Sequence, residues 1–296
     1  MCDHCARIVK SGPDTPFMSS SSLRKRGFGA TGAAVAVVAV GTLAVGAAAG
    51  SANAAAPAAH PAARQPVWAA GPVLPNATSA AVHSHSGARP FANTSTQNWS
   101  GYVATSGGYT SVESTWVEPA VDCSKGDGWA LFWVGLDGDG SPSVEQTGTG
   151  ALCSAGQASY ATWWETFSNP IQFYQDPIKV GDKFDAKVTF KGNAQYELTL
   201  TNVTEGWIED HLETAASGAT NASAEVVAET PTTIFGQLTP LPDFGTATFT
   251  GSQVNGQPIG AANPTAIDMA RNGDTLATAG PLSNGTDFTE TWVANN

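Results

Sequence analysis

The side chains able to do chemistry in this sequence are carboxylates, amides and aromatic rings, because histidine is scarce. After His85 the only histidine is His211, in W-I-E-D-H-L-E. Ser-His-Asp or Cys-His catalysis would have to use that residue, and the sequence has no G-x-S-x-G elbow and no H-E-x-x-H. One histidine cannot build a histidine-based zinc site. His211 reads as a polar residue in an exposed acidic hairpin, and neither a metal nor a cofactor is expected. Four acidic residues lie on strand-like stretches beside aromatic or small residues: Asp137, Glu165, Glu225 and Glu229. Carboxyls in such surroundings can serve as general acids and bases once burial or a neighbouring charge moves their pKa.

These residues need strands to hold them. From Trp133 to Gln146 the sequence reads W-V-G-L-D-G-D-G-S-P-S-V-E-Q, two short strands joined by a turn rich in Gly, Asp and Pro. Alternation puts Trp133, Gly135 and Asp137 on one face and Val134 and Leu136 on the other. In the second strand Val144 and Gln146 share a face while Glu145 points away. On residue type alone Gln146 is a surface amide. In W-W-E-T-F, Trp163, Glu165 and Phe167 share a face, so Glu165 is either a partly desolvated carboxyl or a strand glutamate facing water. In A-E-V-V-A-E, Glu225, Val227 and Glu229 fall on one face and Val226 and Ala228 on the other. If the second pair faces a core, the glutamates line either a groove or a solvated strand face.

Further strand signals recur at short intervals from about Asn98 onward, separated by Gly, Asn, Asp and Pro. They include W-S-G-Y-V-A-T, Y-T-S-V-E-S-T-W-V, K-F-D-A-K-V-T-F, Y-E-L-T-L-T-N-V and D-F-T-E-T-W-V. No long stretch keeps a 3.6-residue apolar period. Many short antiparallel strands over about 200 residues point to a sandwich or jelly roll.

The 296 residues carry a net charge of −12, yet only 13% are charged. From Phe91 onward the cations are Lys125, Lys179, Lys183, Lys187, Lys191 and Arg271, too few and too scattered to bind nucleic acid. With so few cations, protonating the carboxylates leaves little positive self-repulsion, so the domain can stay folded in acid; ordinary acidic solubilisation accounts for the composition equally well. Cys2 and Cys5 form a lone C-x-x-C, weak evidence for zinc. A basic stretch after Met18, the apolar run Ala33 to Ala49 and S-A-N-A-A-A resemble a secretory signal cleaved near Ala54, so residues 1–54 are read as an extension and signal and the protein as secreted, extracellular and free of the membrane once cut. A single-span anchor is the competing reading. Residues 55–90 are rich in Ala and Pro, hold Arg64, Arg89 and three histidines but no Asp or Glu, and read as a linker or short propeptide laid on the acidic domain. Residues 91–296 form the domain, expected as a monomer. Its two cysteines, Cys123 and Cys153, are expected to pair in an exported protein; a catalytic cysteine would lack a histidine partner.

Taken in order, N-W-S-G-Y near Asn98, W-V-G-L-D-G, Q-T-G, W-W-E and A-E-V-V-A-E resemble the glutamic peptidases, or eqolisins. The resemblance covers most of residues 98–235. It implies an all-β fold, an antiparallel β-sandwich of two large sheets in the manner of a concanavalin-like jelly roll, and an endopeptidase cutting polypeptides in acid. It makes Gln146 and Glu229 the catalytic pair, with Glu229 as general base and acid on water and Gln146 as oxyanion donor and water-orienting group. Trp133 and Asp137 match supporting site positions and Glu165 a further acidic site residue. Glu145 beside Gln146, Ala228 beside Glu229 and the turn carrying Cys153 depart from the family pattern and resemble a bacterial-type branch. Two other readings remain: a glycoside hydrolase on a similar sandwich, and a lectin-like module binding sugar through Trp133, Trp163 and Trp164. Glu225 and Glu229 lie roughly 13 Å apart along one strand, too far for a retaining glycosidase pair, which leaves Glu165 with Glu229 as the pair that reading would use.

Overall fold

The computed structural model describes residues 68–71, 74, 94–233 and 235–295. The expected export signal, Cys2, Cys5, Met18, His60, His83 and His85 lie outside the described residues. The longer strands are β1 Trp99–Ala104, β2 Ser111–Val117, β3 Gly128–Asp137, β4 Val144–Ser154, β5 Gln157–Phe167, β6 Lys183–Gly192 and β7 Gln195–Asn202. They continue with β8 Trp207–Thr214, β9 Ala224–Glu229, β10 Thr246–Val254, β11 Thr265–Arg271, β12 Asp274–Ala279 and β13 Phe288–Trp292.

Hydrogen-bonded neighbours follow the order β8-β7-β6-β2-β10-β13-β12-β11-β1-β9-β3-β4-β5, with the short strand Gln172–Phe173 beyond β5. This single path folds back on itself as an antiparallel β-sandwich. The main core lies between its halves: Val112 and Trp116 of β2, Phe184 and Val188 of β6 and Leu198 of β7 pack with Phe132 and Val134 of β3 and Val226 and Ala228 of β9. Trp116 Nε1 crosses the layers to donate to Thr149 Oγ1 of β4 at 2.9 Å. Removing each of these large side chains from water is worth roughly 1.5–3 kcal/mol.

Sequence pattern follows position in the sandwich. Strands β6 and β7 alternate buried and more exposed residues, as half-buried strands must. Strands β3 and β9 are buried on both faces, so they read as continuous apolar runs, broken by a charge only at Asp137 in β3 and at Glu225 and Glu229 in β9. Their second face joins a smaller cluster made of Trp99, Leu131, Trp133, Trp163, Val227 and Ala70. Cys123 and Cys153 form a disulfide with Cα atoms 5.2 Å apart, tying the turn before β3 to the end of β4.

Candidate active site

The candidate site is laid out on β9, β3, β4 and β5, adjacent strands of one layer. Register fixes the rows: Gly135 lies opposite Gln146, Gln146 opposite Glu165, and Trp133 opposite both Val227 and Gly148. Glycine makes room for the Trp133 ring. A Cβ on Gly135 would meet that ring at 2.6 Å, and one on Gly148 would lie 2.1 Å from the Phe132 carbonyl oxygen and 2.6 Å from Trp133 Cβ. The indole therefore lies along the sheet surface and its Nε1 donates to Glu229 Oε2 at 2.9 Å.

Glu229 is buried and surrounded by donors. Besides Trp133, its Oε1 accepts from Gly71 N at 3.0 Å and from Asn98 Nδ2 at 3.4 Å. Trp99 lies edge-on to Trp133 with centroids 5.0 Å apart, its own N–H turned to the Gly71 carbonyl oxygen beside Glu229. Gln146, also fully buried, spends its amide nitrogen on two acceptors: the Ala70 carbonyl oxygen at 2.9 Å and Glu165 Oε2 at 3.3 Å. Its Oε1 has no partner among the described residues.

Burial and charge order the two carboxyls. Burial pushes Glu229 up to about 8, opposed by the N–H groups of Gly71, Trp133, Asn98 and Trp99. Burial, then the charge of Glu229, holds Glu165 well above the usual carboxylate range, against hydrogen bonds from Ala70 and Gln146. Glu229 thus ionises first, and Glu165 keeps its proton beside it.

The other sequence candidates lie elsewhere. Asp137 ends β3 with φ 69°, so its side chain leaves the alternation. Its carboxylate accepts from the backbone N–H groups of Thr220, Asn221 and Ala222 at 2.9, 2.8 and 2.8 Å and from Thr220 Oγ1 at 3.2 Å. It clamps that loop and makes no hydrogen bond to Gln146 or Glu229. Glu225 shares the Glu229 face of β9 but is fully buried, and burial raises its pKa strongly. Glu145 is buried too, held by Ser143, and burial pushes it up to about 8. Trp163 donates to the Thr149 carbonyl oxygen at 3.0 Å, and Trp164 stacks on His211 with centroids 5.2 Å apart.

Two sets of site residues were not singled out from the sequence. Asn98 and Trp99 stand in N-W-S-G-Y, a motif whose side chains could have been read as donors. Residues 68–71 and 74, placed by the sequence in the 55–90 linker, run across the site. Trp68 and Ala69 pair antiparallel with Thr233 and Thr232. Trp99 Nε1 donates to the Gly71 carbonyl oxygen at 3.1 Å. Leu74 N donates to Asn98 Oδ1, and its carbonyl oxygen accepts from Gln97 N, each at 2.7 Å. A surface depression lined by Glu113, Asp185, Lys187 and Thr199 lies away from the candidate residues.

One peptide unit, Ala70–Gly71, therefore has its carbonyl on an amide donor and its N–H on a carboxylate, the two contacts that amide hydrolysis requires. Comparison with solved structures gives the same fold. Scytalido-glutamic peptidase, solved with a transition-state analogue inhibitor, superposes with a TM-score of 0.60 at 20% identity, covering 67% of this chain and 98% of that one. SCP-B, an eqolisin solved with the tripeptide Ala-Ile-His, gives 0.56 at 21% identity over 67% of this chain and 98% of its own. Aspergilloglutamic peptidase from Aspergillus niger gives 0.49 at 28% identity over 56% and 99%. No curated protein sequence matches. The model of the peptidase A4 family matches residues 97–292, from Gln97 beside Asn98 through β13, and the chain belongs to that family, the eqolisins, as a peptidase acting on polypeptides.

Proposed function

We propose that this chain is a secreted endopeptidase that works in acid through Gln146 and Glu229. The observation that carries the reading is the grip on a single peptide unit: Gln146 Nε2 on a carbonyl oxygen at 2.9 Å and Glu229 Oε1 on the following N–H at 3.0 Å. Ionised Glu229 takes a proton from the attacking water. Gln146 Nε2 donates to the oxyanion that forms; a single donor of this kind lowers the barrier by roughly 3–4 kcal/mol. Glu229 then hands its proton to the departing amine nitrogen. Neutral Glu165 holds the second N–H of Gln146 and so fixes which way the amide faces.

The pH range follows from burial. With residues 70 and 71 in the cleft, Glu229 sits at about 8 chiefly because it is buried. Water entering an open cleft relieves that penalty, while Trp133, Asn98 and Trp99 remain to favour the carboxylate, so the free enzyme ionises Glu229 in acid. Neither the amide nor the indoles titrate. Export fits the Cys123–Cys153 disulfide, which persists in oxidising compartments.

Hydrolysis of an acid-denatured protein tests the reading. Gln146→Ala is expected to lose about 100-fold or more of the activity, and Glu229→Gln all that can be measured, with circular dichroism unchanged in both. Full activity in Glu229→Gln would refute the assignment.

A further inference from the structure

The peptide unit held by the proposed catalytic pair belongs to the chain itself. We propose that the Ala70–Gly71 bond is this protein's own processing site, cut within the same molecule, and that residues 68–70 hold the cleft until then as the end of a pro-segment. The inference rests on the peptidase reading above and adds to it the bond, the order of events and the new N-terminus.

Three observations converge on that bond. Its carbonyl and its N–H meet Gln146 and Glu229, the groups assigned to the oxyanion and the leaving nitrogen. The chain is gripped on both sides of it, as a substrate strand would be: Trp68 and Ala69 add to Thr232–Thr233, while Trp99, Asn98 and Gln97 hold Gly71 and Leu74. The residue on the carbonyl side is also enclosed: Ala70 is fully buried in the tryptophan-rich cluster.

In the cut, water entering beside Glu229 relieves the burial that keeps it protonated; its oxygen then bonds to the Ala70 carbonyl carbon while one of its protons passes to the ionised Glu229. The C–N bond breaks with its electron pair on the Gly71 nitrogen, which takes that proton. One product ends in a carboxyl at Ala70 and the other begins with an amine at Gly71. The new carboxyl lies beside Glu229, which is charged again once its proton has passed to the amine, and that like charge favours its departure. Before the cut, other substrates are excluded from the cleft.

The test uses the full chain, incubated at the pH at which it hydrolyses denatured protein, with intact mass and N-terminal sequence followed over time and over a range of protein concentration. The expected first product begins at Gly71, and its rate constant does not change with concentration. Gln146→Ala is expected to slow the cut by about 100-fold or more, Glu229→Gln to abolish it, and Gly71→Pro, which has no N–H for Glu229, to leave residues 70 and 71 joined. An active chain still joined at 70–71, a first product beginning elsewhere, or a rate constant rising with concentration would overturn the proposal and leave the peptidase reading standing. A wild-type chain inactive on denatured protein as well would overturn both.

Discussion

Glu229 is met by hydrogen-bond donors, and the Trp133 indole is the closest of them at 2.9 Å. A donor to a carboxylate favours its charged form, so removing the donor raises the pKa, and a base that must be ionised then works only at higher pH. Trp133→Phe keeps a ring and loses the N–H. Its kcat/KM profile is expected to move on the acid limb by about one pH unit, with roughly tenfold lower activity at the wild-type optimum; an unmoved limb would show that the indole serves packing alone. At this scale the sequence was informative where strands are regular. Alternation separated Gln146 from Glu145 and put Val226 and Ala228 into the core away from Glu229. It misplaced Asp137 because a positive φ at the strand end turns that side chain out of phase, toward the loop of residues 220–222.

The glycines of β3 and β4 matter to the site as much as the side chains do. Gly148 sits where a Cβ would collide with the Phe132 carbonyl and with Trp133. Gly148→Ala is expected to cost about 1–3 kcal/mol in denaturant unfolding and to lower activity further by displacing the indole from Glu229. A variant of wild-type stability and activity would mean the strands can move apart freely. Element type was legible wherever one face is exposed, as in β6 and β7. Double burial hid the phase of β3 in hydrophobicity alone, since both of its faces are apolar, whereas Glu225 and Glu229 mark one face of β9. The pairing of Trp68–Ala69 with Thr232–Thr233 joins two-residue strands across more than 160 residues, and neither partner carries a periodic signal.

The molecule as a whole stores protons. Glu118, Glu145 and Glu290 are each raised by burial to about 8, beside Glu229, and Glu225 is raised strongly. An unfolded chain releases these protons near the ordinary value of 4.5. The folded state therefore binds more protons than the unfolded one between about 4.5 and 8, so stability is fully present below that window and drains away as pH rises through it. Thermal unfolding is expected to show a Tm lower by roughly 10 °C or more at pH 8 than at pH 4.5. A Tm that rises over that interval would show that the buried carboxyls ionise without cost. Composition alone left acid tolerance and ordinary acidic solubilisation equally good accounts; the buried carboxyls add a preference for acid that no count of charges reveals, because it depends on which glutamates are inside.

A peptidase in a crowded solution of its own kind is surrounded by potential meals. The cleft grips an extended stretch, as it grips residues 68–71, and the continuous ladder from β8 to β5 presents its interior strands with their backbones paired on both sides. A folded copy is therefore expected to be a poor substrate for its neighbours and an unfolded copy a good one. The working lifetime of the enzyme is then set by how seldom the ladder opens, with every failed molecule removed by the survivors.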